Sequence, residues 1–154
     1  MPEHFDKIRD GVAIRASTTF FLRAMDMVSK TVGGGDMLRG VIFMSIVEAN
    51  IRDLKPDSPL SQAYSEAGDI VPDDLRRPVS VHALALSMGL PYETTRRHVN
   101  RLISDGLCVR RDSGVIIPGD VLARGPMVDS VKKNFEHLRD LFGELRAGGV
   151  EFDA

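Results

Sequence analysis

Apolar side chains recur at intervals of three and four residues along much of this chain, which is the period of an amphipathic helix. Residues 4–32 predict a first helix that ends at the glycines of residues 33–35. The largely apolar segment 37–54, with Asp36 as its N-cap, predicts a second helix in the middle of a bundle. After a break, a short helix is expected over residues 61–67. The apolar positions of the first helix are Phe5, Ile8, Val12, Phe21, Met25, Val28 and Val32.

The segment from residue 79 to residue 118 is the most informative part of the chain. Ser80 is placed to cap a helix over residues 81–88, and Gly89 permits a sharp turn after it. The next helix is predicted over residues 91–105 and begins with a proline, whose missing N–H costs nothing in a first turn. Its inner face is formed by Thr95, Val99 and Leu102.

A β-hairpin is predicted directly after this second helix. Gly106 is placed to end the helix. Residues 107–111 and 115–117 are β-rich runs separated by Asp-Ser-Gly, a good turn sequence, and Pro118 closes the hairpin. Residues 119–125 are expected to be a linker.

The last part of the chain carries the most regular hydrophobic pattern. Pro126 opens a predicted helix that ends at the glycines of residues 148–149. Its apolar residues follow the 3,4 spacing of a coiled coil. They are Val128, Val131, Phe135, Leu138, Phe142 and Leu145. Two interpretations stay open: the helix dimerises with help from the N-terminal helices, or it packs on the N-terminal helices of its own chain.

Composition and charge define the class of protein. The 154 residues are 43% hydrophobic and 27% charged, as in a globular protein, and the net charge is −2. Between residues 76 and 111, however, seven arginines face only two acidic residues, so that this window carries +5 and the remainder −7. A basic module attached to an acidic body is suited to local contact with phosphates.

Other kinds of chemistry find little support. The four histidines and Cys108 show no metal-ligand spacing, no nucleophile–base arrangement is visible, and we expect no enzyme, metal or cofactor. Cys108 is expected to be a small buried hydrophobe. No signal peptide or membrane span is expected, so the prediction is a cytoplasmic protein with no membrane partner.

The segment GLPYETTRRHVNRLISDGLCVRRDSGVIIP resembles the winged helix-turn-helix domain of bacterial transcriptional regulators of the broad GntR, IclR and MarR kind. The resemblance covers roughly a quarter of the chain. It implies a mainly α fold with a small β-hairpin wing, flanked by N-terminal helices and a C-terminal heptad helix. The three expected regions are residues 1–60, 61–120 and 121–154.

The resemblance also assigns roles to individual residues. Tyr92, Glu93, Thr94 and Arg96 are implied to lie nearest base edges of double-stranded DNA, and the implied phosphate contacts are Arg97, Asn100 and Arg101. The start of the preceding helix and the wing stem add backbone contacts, from Ser80, His82, Arg110 and Arg111. A transcriptional regulator that binds a two-fold related site as a homodimer is therefore expected. Arg76 and Arg77, in a loop, are weaker candidates for DNA contact.

Two residues depart from the pattern of the resembling regulators, and two further functions are considered beside DNA binding. The wing is short and has Asp112 at its tip, and Glu93 repels phosphate unless it is matched to a cytosine. The alternative function is a winged-helix protein–protein interaction module without sequence-specific DNA binding. A small-molecule effector is a further hypothesis, with a pocket between Phe20, Phe21, Met25, Met37, Phe43 and Met44.

Overall fold

The computed structural model describes residues 7–54, 57–64 and 69–151, with the side chains of residues 7–9 also left outside. The expected positions of Phe5 and Ile8 therefore lie outside the described residues. Within them the chain is mainly helical, with one two-stranded antiparallel hairpin. The helices are α1 (Lys7–Thr31), α2 (Met37–Ile51), α3 (Pro59–Ala63), α4 (Val81–Met88), α5 (Tyr92–Ser104), α6 (Gly119–Leu122) and α7 (Gly125–Ala147), and the strands are β1 (Val109–Arg111) and β2 (Gly114–Ile116).

The first two helices form where the apolar periodicity predicts them. Asp36 caps α2 as expected, because its side chain accepts a hydrogen bond from the Arg39 N–H at 3.1 Å. The helix ends at Ile51, three residues before the predicted end. The short helix α3 starts at Pro59, earlier than predicted, because Ser58 caps it and Pro59 fits its first turn. It ends at Ala63, with Tyr64 as its C-cap, so the predicted end at residue 67 is wrong.

The observed bounds of α4 and α5 agree closely with those predicted from their capping residues. Ser80 accepts a hydrogen bond from the Ala83 N–H at 3.0 Å and caps α4, which has the predicted bounds. Gly89 has φ 65°, the left-handed conformation that ends α4 and starts the turn. The predicted helix over residues 91–105 is confirmed apart from its ends, since Pro91 and Asp105 are its caps. The inner face of α5 is also confirmed: Thr95, Val99 and Leu102 are buried.

The hairpin is shorter than predicted but has a third partner. Arg111 pairs with Gly114 across a two-residue turn, so Gly114 belongs to β2 and not to the turn. Val79 exchanges two backbone hydrogen bonds with Val115, of 3.1 and 2.9 Å, on the other edge of β2. A Cβ atom added at Gly114 would lie 2.7 Å from backbone atoms of Val79. Only glycine permits this close approach.

The expected linker over residues 119–125 is partly wrong, because residues 119–122 form the short helix α6. Pro118 precedes that helix with an extended backbone, and the Gly119 N–H donates to the Asp73 carboxylate at 2.7 Å. A proline before a helix start supplies a preset backbone angle, which is the signal that favours a helix here.

Within the described residues, no helix combines the length and apolarity needed to cross a bilayer.

One buried cluster joins these elements. It takes side chains from the end of α1, from α2, α4, α5 and β2, from the turn before β1 and from α6 and α7. Its most enclosed members are Ile42, Ile46, Leu84, Val99, Leu102, Cys108, Val115, Ile117 and Val121. The α4–α5–hairpin unit is therefore held against α2 by shared core packing.

Asn50 is the polar exception in this interior. Its side chain is 2% exposed and makes three hydrogen bonds. The amide nitrogen donates to the carbonyls of Arg77 (2.8 Å) and Val115 (3.2 Å), and the amide oxygen accepts from the Ile117 N–H (3.0 Å). One side chain of α2 thus positions both the hairpin and the loop that precedes α4.

The long helices α1 and α7 form an antiparallel pair. Thr31 and Ser130 share a hydrogen bond of 2.7 Å, Arg23 contacts Asp140 at 3.3 Å, and Gly148 lies against Val12. The interpretation that the C-terminal helix packs on its own N-terminal helix is therefore observed. The heptad positions lie at the edge of this contact: Val128, Leu138 and Leu145 are half-buried, whereas Val131, Phe135 and Phe142 are more than half exposed.

Candidate nucleic-acid interface

The outer face of α5 carries most of the candidate contact residues. The helix is amphipathic: its inner stripe is buried, and Tyr92, Glu93, Arg96, Arg97 and Arg101 are exposed. Thr94 and Asn100 are half-buried at the margins. The periodicity of 3.6 residues per turn explains why all five exposed side chains share one broad face.

Arg96 does not stand alone on this face. Its guanidinium donates two hydrogen bonds to the Glu93 carboxylate, of 2.9 and 2.6 Å, one helical turn away. The hydrogen bond from Arg96 lowers the pKa of Glu93 below its usual value, and the same bond raises the pKa of Arg96. The Glu93 carboxylate, whose repulsion of phosphate weakens the DNA-binding hypothesis, is therefore balanced by Arg96. The same pair leaves less of the positive charge of Arg96 for DNA.

Arg97 and Arg101 are the arginines of α5 that lie outside this ion pair, although Arg97 also acts electrostatically on the Glu93 carboxylate. Neither forms an ion pair with another residue in the described part of the chain. Asp105 lies four residues after Arg101, the spacing of an ion pair on one helix, but it instead forms an ion pair with Arg39 of α2. Arg39 is mostly buried, so this pair connects the end of α5 to the body of the protein and leaves Arg101 directed to solvent.

The hairpin contributes a further cation next to α5. The Arg110 guanidinium donates to the Asn100 side-chain oxygen at 2.7 Å, which joins β1 to α5 and keeps the positive charge at the surface. Arg111 is half-buried and donates to the Asp73 carbonyl at 2.8 Å, so it supports the hairpin from behind. The turn residue Asp112 is exposed and has φ 51°.

The start of α4 has the predicted cap. Ser80 is half-buried and its hydroxyl oxygen accepts from the Ala83 N–H, while His82 is exposed. The first turn of α5 has no side-chain cap, since Pro91 precedes it. Its backbone N–H groups therefore keep their hydrogen-bonding capacity for an anion, which the positive end of the helix dipole favours.

Two arginines of the basic window lie elsewhere. The side chain of Arg76 is buried and donates to the Val71 carbonyl at 3.0 Å, and burial lowers its pKa. The expectation that it contacts DNA is wrong, because a buried guanidinium cannot reach a phosphate. Arg77 is exposed but forms an ion pair with Asp53.

Three residues that the sequence does not single out hold the site in place. Asn50, Arg39 and Arg124 each bind a backbone or carboxylate group of the α5–hairpin unit, Arg124 through the Gly106 carbonyl at 3.2 Å. Of the three, only Asn50 could be found from the sequence, because its spacing from Phe43 and Ile46 places it on the buried stripe of α2.

The remaining site hypotheses can be compared with the structure directly. Cys108 is buried, as expected, and burial raises the pKa of its thiol to about 11. Among the described residues no cluster of histidine, cysteine and acidic side chains could hold a metal. Cavities of about 260 Å³ between α2 and α4 and about 350 Å³ between α1 and α7 are present, but neither is lined by the six residues of the effector hypothesis. Phe43 lies in the core instead.

Searches against protein-family models, curated proteins and solved structures found no match to this chain.

Proposed function

We propose that this protein is a DNA-binding transcriptional regulator whose α4–α5–hairpin unit is a winged helix-turn-helix and whose α5 enters the major groove. One observation carries the proposal. The exposed face of α5 holds Arg97 and Arg101, which form no ion pair among the described residues, and Arg110 of the hairpin lies beside them. A cluster of arginines outside ion pairs, on a chain of net charge −2, is suited to phosphate contact.

The order of elements supports the same function. A capped helix, a tight turn at Gly89, a second amphipathic helix and a hairpin follow one another, and the hairpin pairs with the strand-like residue Val79 that precedes the unit. In DNA-binding domains of this organisation, the second helix lies in the major groove while the first crosses the backbone.

The local contacts give each residue a different role. The Glu93–Arg96 pair lies in the first turn and a half of α5, with Tyr92 and Thr94, where side chains approach base edges. Arginine pairs with guanine O6 and N7, and glutamate accepts from cytosine N4. Arg97 and Arg101 lie four residues apart on one face of α5 and contact phosphates along one edge of the groove, and His82 with the α4 start contacts the sugar–phosphate backbone. Asn100 acts through Arg110, and Arg111 through the hairpin.

Direct binding measurements test this function. The protein selects duplexes from a random pool, and fluorescence anisotropy then measures the dissociation constant of the best duplex between 50 and 200 mM salt, about the range over which phosphate contacts weaken strongly. We expect Arg97→Ala to weaken binding to all sequences alike and to reduce the salt slope by about one. Arg15→Ala, which removes an exposed arginine of α1, is the matched control and should change neither quantity.

Arg96→Ala should behave differently from Arg97→Ala. Loss of a base contact should cost about 1–3 kcal/mol on the selected sequence and relax the preference at one base pair. If selection enriches no sequence and binding shows no dependence on salt, the DNA-binding proposal is wrong.

The second candidate function is a protein–protein interaction module. Leu86 of α4 is 71% exposed, and Tyr92 and Val109 are also exposed on α5 and β1. Large apolar side chains at a surface favour a protein partner over a phosphate backbone. Two readouts distinguish the functions. Leu86→Ser should leave DNA affinity unchanged if α5 binds DNA, and the salt slope should be near zero if the unit serves only a protein partner.

A further inference from the structure

The α1–α7 pair presents a row of large apolar side chains to solvent. Five of them, on one side of the pair, are between 51% and 66% exposed. They are Ile14 and Phe21 of α1 and Val131, Phe135 and Phe142 of α7. We call this surface the apolar face. Single exposed leucines are ordinary in a monomer, but five large apolar side chains on one side of a helix pair are not, even with the Arg139 guanidinium 4.7 Å from the Phe135 ring.

Helix geometry brings these residues to the same side of the pair. On α7, Ser130 contacts α1, and Val131 follows it by one position, about 100° further around the helix. On α1, Phe20 lies on the half-buried stripe that leads to Thr31, and Phe21 follows Phe20 in the same way. The two helices run antiparallel, so a rotation of about 100° from the contact stripe in each of them points to the same side of the pair. Phe21 of α1 and Val131 of α7 therefore lie on one side.

The size of the apolar face matches a protein interface. A large apolar side chain offers about 150–200 Å² when fully exposed, so five that are a little over half exposed present about 430–580 Å². A standard interface takes about 800 Å² from each partner, of which about 65% is apolar in homodimers, or roughly 500 Å². One partner of similar size is enough to cover the face.

We infer that a second copy of this chain covers the apolar face, so that both α1 helices and both α7 helices form a four-helix bundle about a two-fold axis. Two antiparallel helices with one apolar side are half of such a bundle. The 3,4 spacing of Val131, Phe135, Leu138 and Phe142 is the spacing that interdigitates with another helix at a small crossing angle. A two-fold contact also closes on itself and leaves no apolar surface open.

This arrangement would have a functional consequence without depending on DNA binding. Since the α5 face and the apolar face consist of different residues, the dimer would carry two copies of α5 outside its interface. The DNA proposal and the dimer can therefore fail separately, because the mass of the free protein is measured without any DNA.

Sedimentation equilibrium and light scattering on the full chain, over a range of concentrations, test the inference. We expect the wild type to be a dimer at micromolar concentration. Phe135→Glu places a charge in the middle of the interface twice per dimer and should raise the dimer dissociation constant at least about 100-fold. Circular dichroism should show unchanged helicity, since the Phe135 side chain is 56% exposed in the single chain.

Leu86→Glu is the matched control, because it charges an even more exposed apolar residue on α4, outside the apolar face. It should remain a dimer. A wild type that is monomeric at high micromolar concentration would overturn the inference, and so would a Phe135→Glu variant that dimerises like the wild type. Monomeric protein that instead sediments with phosphatidylglycerol vesicles would show that a lipid surface covers the face, and would equally overturn it.

Discussion

Replacement of Asn50 by alanine should destabilise the whole fold, because this one side chain connects α2 to the hairpin and to the loop before α4. The Arg77 carbonyl and the Ile117 N–H each lose a hydrogen-bond partner in the interior, and the Val115 carbonyl keeps only its bond from the Val79 N–H. A buried polar group without its partner costs about 1–3 kcal/mol. Two such groups cost about 4 kcal/mol, and the better helix propensity of alanine returns about 0.6 kcal/mol.

We therefore expect Asn50→Ala to lower the free energy of unfolding by about 3 kcal/mol. Urea unfolding followed by circular dichroism at a common m-value measures this difference. Asn134→Ala is the control, since Asn134 lies on α7 and is only half-buried, so that the same change of helix propensity occurs without the three hydrogen bonds. A loss below about 1 kcal/mol relative to that control would show that the hydrogen bonds of Asn50 do not hold the hairpin in place.

Three further changes test other contacts of the α5–hairpin unit. Gly114→Ala brings a Cβ atom to 2.7 Å from the Val79 backbone and should cost about 1–3 kcal/mol in urea unfolding, and an unchanged midpoint would contradict the close approach. In an NMR titration the Glu93 carboxyl should titrate below its usual pKa and return towards it in Arg96→Ala, since the hydrogen bond stabilises the carboxylate above that pKa and is lost as pH falls. An equal pKa in both proteins would exclude the pair. Cys108, with a thiol pKa of about 11, should react with a thiol reagent at pH 8 only after unfolding, and rapid reaction of the folded protein would contradict its burial.

The parts of the fold that follow from local sequence signals could be predicted closely. Ser80, Gly89 and Asp36 act within one or two turns of their own positions, so the bounds of α4 and the start of α2 follow from residue type alone. The helix α6 does not follow from the sequence as readily, because Pro118 is equally suited to end the hairpin and to start a helix.

The parts that depend on distant partners could not be predicted. Arg101 and Asp105 have ideal spacing for an ion pair on one helix, but Arg39, which is 66 positions from Asp105, takes the carboxylate. Arg76 belongs by charge to the basic window, yet the fold buries it against the Val71 carbonyl. Sequence spacing predicts neighbours on a helix, whereas tertiary packing decides which charges reach solvent.

The heptad pattern of α7 correctly predicts a helix with an apolar stripe, but only part of that stripe packs on α1. The chain packs α7 on α1, as one of the two interpretations predicts, but the contact is centred on the neighbouring stripe that contains Ser130 and Leu141. Val131 and Phe135 therefore stay at the surface. A one-dimensional pattern identifies an apolar stripe and does not say which partner covers it.

The central claim is that α5 and the hairpin form the DNA-binding surface, and an NMR titration of isotope-labelled protein with a selected duplex tests it most directly. We predict that the largest shift changes fall on Tyr92, Arg96, Arg97 and Arg101, on Arg110 of the hairpin and on the start of α4, while residues of the apolar face change little. Changes that concentrate on α1 and α7, or no changes at a protein concentration of about 1 mM, which exceeds non-specific dissociation constants of about 1–100 μM, would contradict it.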